Sequence, residues 1–223
     1  MRIFSLLAHP RPNSFCHAIS ERARQALSMA GHAISHHDLY AEGFDPCLTA
    51  EEAYSIGDTL EVALSRADDP VLHSHRTEIA HADGLLIVHP NWWGKPPAIL
   101  AGWLDRVLVP GVAYRLAAAD GMPEGLLSIR QALVLNTSDT HAEREERDLG
   151  DPLELIWGRC VLPYCGVQAY RRHIFRPVVG SSDAQRLAWL AEAESLCGAA
   201  FSNDRGAGSD VSGCETHAAE HRA

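Results

Sequence analysis

The chain has 223 residues, with 29 acidic and 19 basic side chains and a formal net charge of −10. Hydrophobic residues make up 46%, enough for one packed domain, and the negative balance excludes a general nucleic-acid binder, which needs a positive surface against phosphates. Lys95 is the single lysine, so Schiff-base chemistry or a phosphate-binding lysine at any other position is excluded.

No apolar stretch reaches the ~18–20 residues needed to cross a bilayer. Met1–Ala8 meets His9, Pro10 and Arg11 too early for a secretory segment. Cys16, Cys47, Cys160, Cys165, Cys197 and Cys214 lack the paired spacing of a zinc knuckle or a disulfide framework. They read as reduced thiols of a cytoplasmic protein.

Strand and helix signals alternate along the chain. Ile3–Ala8 is a short apolar run, and Phe15, Ile19, Ala23, Ala26, Leu27 and Ala30 follow at helical spacing up to a stop at Gly31. Ala33–Leu39 reads as a more polar strand, His73–Ala82 as a helix, Leu85–Val88 as a buried strand, and Ala98–Leu108 as a helix. Ala132–Leu135 is a third buried strand, Leu153–Leu162 a helix, Val167–Phe175 a polar-speckled strand, and Asp183–Ala200 the closing helix. This βαβα rhythm predicts a doubly wound, five-stranded parallel sheet with helices on both faces. The polar strands, second and fifth, suit the edges, giving the flavodoxin-like order 2-1-3-4-5. The domain is expected to span residues 1–201. Residues 202–223, rich in Gly, Ser, Ala and charge, read as a disordered tail.

In that order the winding reverses between the first and third strands, and a ligand belongs in the crevice outside their carboxyl ends. Three segments must line it. His9-Pro10-Arg11-Pro12-Asn13-Ser14-Phe15 opens the first helix, where free amides, the Ser14 hydroxyl, His9 and Arg11 suit a phosphate or diphosphate. It matches neither the Walker loop nor the GxGxxG turn. The blander role of Asn13 or Ser14 is a helix cap. Pro90-Asn91-Trp92-Trp93-Gly94 places two tryptophans in a turn, costly to expose without a flat aromatic ligand, although one of the pair is expected to pack on the following helix. Asn136-Thr137-Ser138-Asp139 is small and hydroxyl-rich directly after an aliphatic strand; it suits ligand contact or an ordinary helix entry equally.

These residues carry a resemblance. Ala8-His9 with Asn13-Ser14-Phe15, the stretch Asp38–Pro46, the run Pro90–Val107 and then Gly111-Val112-Ala113-Tyr114 make the chain resemble the NAD(P)H:quinone oxidoreductase family of flavodoxin-like flavoproteins, from Ile3 to about Phe201. The resemblance implies a flavin, FAD with FMN as the alternative, whose phosphate lies against His9, Ser14 and Phe15 and whose ring is held by Asn91–Gly94 and Asn136–Asp139. It also implies a homodimer and a quinone as acceptor. Cys16 stands where well-known members have Asn, and Asn136-Thr137-Ser138-Asp139 replaces a Thr-Thr-Gly-Gly run. The expected activity is hydride passage from NAD(P)H through the flavin to a quinone-like acceptor, with no side chain serving as nucleophile or base. Amides of Trp92–Gly94 and Thr137–Asp139 are expected to stabilise the reduced ring. A flavodoxin-type one-electron carrier and a flavin-binding regulatory subunit of an ion-efflux system are the competing classes.

Several features read as structural. The 13 histidines show no metal-ligand pattern, because His32, His36 and His37 sit on an edge strand and His73, His75 and His81 do not share a helical face. Asp105 and Arg106 read as a surface or interface ion pair, Cys160 and Cys165 as packing of the last crossover, and Glu143–Arg147 as a solvated helix start.

Overall fold

Alternate residues of a strand face opposite sides of a sheet, and the buried strands here use both sides. In the computed structural model, which describes residues 1–53, 55–66, 69–116 and 123–202, β1 (Arg2–Leu7), β3 (Gly84–Pro90) and β6 (Gln131–Thr137) are almost wholly buried. Phe4, Leu6, Leu85, Ile87, Ala132 and Val134 face one core. Ile3, Leu7, Leu86, Val88, Leu133 and Leu135 face the other. The strands β2 (Ala33–Asp38) and β7 (Tyr170–Phe175) are half-buried and complete the five-stranded sheet in the order β2-β1-β3-β6-β7, all parallel. Counting only these five, the order is 2-1-3-4-5, with the polar strands at the edges as expected.

Helix α1 (Phe15–Met29) and helix α8 (Asp183–Ala200) cover one face, supplying Ile19, Leu27, Ala193 and Cys197 to its core. Gly31, at φ 82°, ends α1 with amide bonds back to the last turn. The other face carries α3 (Pro70–Ala80) and α4 (Ala98–Val107). It also carries a crossover made of three single-turn helices, α5 (Ala142–Arg144), α6 (Pro152–Glu154) and α7 (Leu162–Tyr164), alternating with π-helical stretches at Glu145–Leu149 and Leu155–Val161. The expected regular helix at Leu153–Leu162 is therefore broken into α and π pieces. Two further features lack a sequence signal strong enough to have been expected: α2 (Leu60–Ser65), and a two-stranded hairpin of β4 (Tyr114–Leu116) and β5 (Pro123–Gly125). The tail expected to be disordered falls, from Asn203 onward, outside the described residues.

Charged residues expected at the surface are buried. Arg106 does not pair with Asp105 on the surface. It is buried and forms a bidentate pair with buried Glu52, at 2.6 and 3.1 Å, because α4 turns that side chain under the 45–52 loop. Glu145, assigned to a solvated helix start, is 1% exposed, because the π-helical backbone there rotates it inward beneath the loop after β3. Among the described cysteines all are free: Cys16, Cys165 and Cys197 buried, Cys47 and Cys160 exposed. Cys165 does pack into the core, whereas Cys160 does not. Among the described residues no helix is long and apolar enough to cross a membrane.

Candidate cofactor cleft

The carboxyl ends of β1, β3 and β6 stand side by side, with Leu7 opposite Val88 and Pro90 opposite Thr137. The three loops that leave them enclose a cleft of about 480 Å³.

The first wall is the start of α1. Ser14 is the N-cap, and its hydroxyl accepts from His17 N–H at 3.4 Å. The first intrahelical bond is Ala18 N–H to Ser14 C=O, so the amides of Phe15 and Cys16 precede it and remain available to an anion. Capping and anion presentation are thus served by the same residue. His9, Arg11, Asn13, Ser14, Phe15 and Cys16 all line the cleft. His9 Nδ1 accepts the Arg11 N–H at 3.1 Å, which leaves Nε2–H as the ring's remaining donor. Burial first, and the Arg11 charge second, lower the His9 pKa and keep it neutral. Cys16 Sγ meets Thr137 Oγ1 at 3.2 Å, tying the helix tip to β6. Burial pushes that thiol up to about 12, so it stays protonated and unreactive.

The second wall is the turn after β3. Trp92 and Lys95 exchange two backbone bonds, at 3.3 and 3.2 Å, and the central pair Trp93-Gly94 has φ of 61° and 70°, the two-residue geometry that favours glycine. Held left-handed, Trp93 is 96% exposed, whereas Trp92 lines the cleft with its ring 5.8 Å from that of His9. Neither tryptophan reaches the core beside buried Trp103, so the expected packing of one on the following helix does not occur. Asn91 lines the cleft, but its side chain is spent on the protein: Nδ2 donates to Glu145 Oε1 at 2.7 Å and Oδ1 accepts the Gly94 N–H at 3.0 Å. Pro90 also lines the cleft.

Thr137, Ser138 and Asp139 form the third wall. Ser138 N–H donates to Phe175 C=O at 3.1 Å and Asp139 Oδ1 accepts the Val179 N–H at 2.7 Å, binding this loop to the one after β7.

Of the expected contacts, Trp93, Gly94 and Asn136 are not among the lining. Asn136 is completely buried beneath the floor, where Nδ2 donates to His89 Nε2 at 2.9 Å and Oδ1 accepts from Arg172 at 3.3 Å. The amides expected to face the ring are also largely committed: Trp92, Gly94 and Ser138 all donate within the protein. Sequence reasoning missed Val178, Val179 and Arg186, which complete the lining. For the two valines the signal was available in the topology, because β7 is the neighbour of β6 and its following loop must reach the same edge; Arg186 sits on α8, where no local pattern marked it.

The residues fit a flavin. A helix tip with open amides, flanked by Arg11 and Arg186, suits a phosphate, and the Trp92 and Pro90 side opposite suits a flat ring. The model of the flavodoxin-like fold matches residues 1–196. The chain belongs to the flavodoxin-like fold family.

Within that family, the chain is 28% identical over 204 residues to mouse ribosyldihydronicotinamide dehydrogenase [quinone], covering 85% of this chain and 87% of the relative. Among solved structures it is similar to an NAD(P)H:quinone oxidoreductase from Methanothermobacter marburgensis, with a TM-score of 0.71 and 25% identity over 88% of this chain and 95% of that one. An FMN-dependent NADH-azoreductase from Bacillus anthracis, in complex with FMN, shares the fold at a TM-score of 0.65 and 12% identity, covering 89% and 98%.

Away from the cleft, His37, Glu42 and His75 bring potential metal ligands within 4.8 Å of one another, a convergence that sequence spacing did not reveal. Hydrogen bonding accounts for them without a metal. Trp103 Nε1, which can only donate, gives its proton to His75 Nδ1 at 2.8 Å. His75 Nε2 must then carry its own proton, which it donates to Glu42 at 3.0 Å, so it has no lone pair for an ion. His37 bridges Glu42 and Glu78 at 2.9 and 3.0 Å.

Proposed function

We infer that this chain is a flavin-dependent oxidoreductase that takes two electrons as hydride from NAD(P)H and passes them to a quinone-like acceptor. The observation that carries the reading is the convergence, in one cleft at the winding reversal, of an open helix tip, two arginines and an indole wall. The quinone and NAD(P)H specificity in the names of the relatives supports it, as does the FMN held by the same fold in the azoreductase.

When bound, the flavin supplies the hydride chemistry. The chain's part is to hold and orient it. The amides of Phe15 and Cys16 would take the phosphate, with Arg11 and Arg186 balancing its charge, and Trp92 and Pro90 would limit the tilt of the ring. The Asn91–Glu145 bond keeps that turn rigid. FMN would end at the α1 tip. FAD would run on into a second hollow of about 520 Å³, which shares Val179 and is lined by Gln185 and Trp189. No side chain acts as nucleophile or general base.

A cytoplasmic homodimer completes the proposal. Gly94 packs against Pro152, and Trp93 on one side of that contact and Leu149 and Leu155 on the other are exposed apolar side chains that a second copy would cover. The deciding experiment is recombinant expression, an absorbance spectrum, and NAD(P)H consumption with a soluble quinone. Yellow protein with quinone-dependent turnover is expected; colourless protein that consumes no NAD(P)H after FMN or FAD is added overturns the reading.

A further inference from the structure

Ser14 has a second face. Behind it, between α1 and the end of β2, lies another hollow of about 480 Å³. There Ser14 Oγ meets His17 Nδ1 at 2.9 Å, and His17 Nε2 meets Asp38 Oδ2 at 2.9 Å. An ionised carboxylate only accepts, so Nε2 carries a proton. With the imidazole neutral, Nδ1 is then a lone pair, and the single hydroxyl hydrogen of Ser14 is committed to it. The serine turns only lone pairs toward the cleft, which an anion opposes. A second proton, placed on Nδ1, reverses the bond: Nδ1–H donates to Oγ, and the hydroxyl hydrogen is free to reach the anion.

We propose that Asp38, His17 and Ser14 form a proton-linked latch, in which phosphate binding at the α1 tip takes up one proton at His17 Nδ1 and so releases the Ser14 hydroxyl to donate to the phosphate. The latch rests on the flavin reading above, and it makes His17 and Asp38 positioning residues that touch no ligand. The groups facing His17 are Glu21 and Arg24 from its own helix and His36 and Asp38 from β2, which line the same hollow, and His9 from the preceding turn, with Arg11 beside His9. Burial, then Arg24, hold His36 at about 4, so it stays neutral through the range of interest. His9 has its ring 6.3 Å from His17 but no bond to Ser14.

The test titrates the full chain with FMN and with riboflavin, which lacks the phosphate, between pH 5.5 and 8.5, reading flavin fluorescence. The preference for FMN over riboflavin, corrected for FMN's own second ionisation, is expected to fall about tenfold as pH rises, the scale of one hydrogen bond to a charged group. Asp38→Asn puts a donor where Oδ2 was and forces the proton onto Nδ1 at every pH, while Oδ1 can still accept the Tyr40 and Ala41 amides at 3.1 and 3.2 Å. The fall should disappear, and at pH 8.5 the variant should prefer FMN about tenfold more than the wild type does. His17→Leu removes the acceptor and should abolish the fall as well. Loss of a negative charge alone would raise the preference equally at all pH and leave the slope. A wild-type slope in both variants overturns the latch and leaves the flavin reading standing; no binding of either flavin at any pH overturns both.

Discussion

The Asn91 side-chain amide donates to Glu145 Oε1 at 2.7 Å, joining the turn after β3 to the π-helical stretch of the last crossover. Glu145 is also bound by Arg176, so one buried carboxylate holds two elements that sit far apart in sequence. Because Asn91 Oδ1 accepts the Gly94 amide at 3.0 Å, the position of Trp92 depends on Glu145 as well. Glu145→Ala is expected to lower stability by about 2 kcal/mol, below the ~3–5 kcal/mol for breaking a fully buried pair because Arg176 keeps some solvent access. It should also weaken flavin binding several-fold, read by urea unfolding and by fluorescence titration.

The adjacent tryptophans should behave differently. Trp92→Ala removes the aromatic wall and is expected to weaken flavin binding about three- to tenfold, the worth of one aromatic contact. Trp93→Ala should leave flavin affinity unchanged in the monomer while weakening self-association. Titration and light scattering on the two variants distinguish them, and equal effects on flavin would contradict the assignment.

Gly102 lies within α4, where alanine would ordinarily be the better helix former. Here a Cβ would come within 2.1 Å of the Pro46 carbonyl oxygen, and backbone cannot yield as a side-chain end can. Gly102→Ala is therefore expected to destabilise by about 2–3 kcal/mol, opposite in sign to the propensity argument, as thermal or urea unfolding would show.

His89 is completely buried, donating from Nδ1 to the Pro90 carbonyl at 2.8 Å and accepting at Nε2 from Trp157 at 3.0 Å. Burial lowers its pKa to about 4. The unfolded chain binds this proton from about pH 6.5 downward while the native state refuses it until about pH 4. Stability is therefore present above 6.5 and lost as pH falls through that window, by roughly 3 kcal/mol. Urea midpoints at pH 7 and 4.5 should show the loss, and His89→Gln should flatten it.

His37 has the opposite sign. Burial pulls its pKa down, but the bonds and charges of Glu42 and Glu78 outweigh burial, and the net shift is upward. Its contribution is present below the ordinary histidine value and is lost as pH rises through the raised native one. The difference in urea midpoint between wild type and His37→Gln should shrink from pH 6 to pH 9.

Sheet order, edge assignment and the place of the cleft were legible in the chain because they depend on local composition. Solid aliphatic runs at Leu85–Val88 and Ala132–Leu135, set in a βαβα rhythm, read as interior parallel strands, while His36, His37 and Arg171 mark edges. Ser14 and Trp92 were readable for the same reason, since a helix cap and a turn tryptophan announce themselves within a few residues. Tertiary structure alone decided which way side chains in those loops turn. A left-handed backbone sent Trp93 outward, the register of β6 put Asn136 under the floor, and a π-helical stretch buried Glu145. Arg186, and the meeting of His17 with Asp38, depend on which strand ends lie side by side in space. Short-range patterning encodes elements; partners between elements follow from packing, where one residue of register or one positive φ reverses the face a side chain presents.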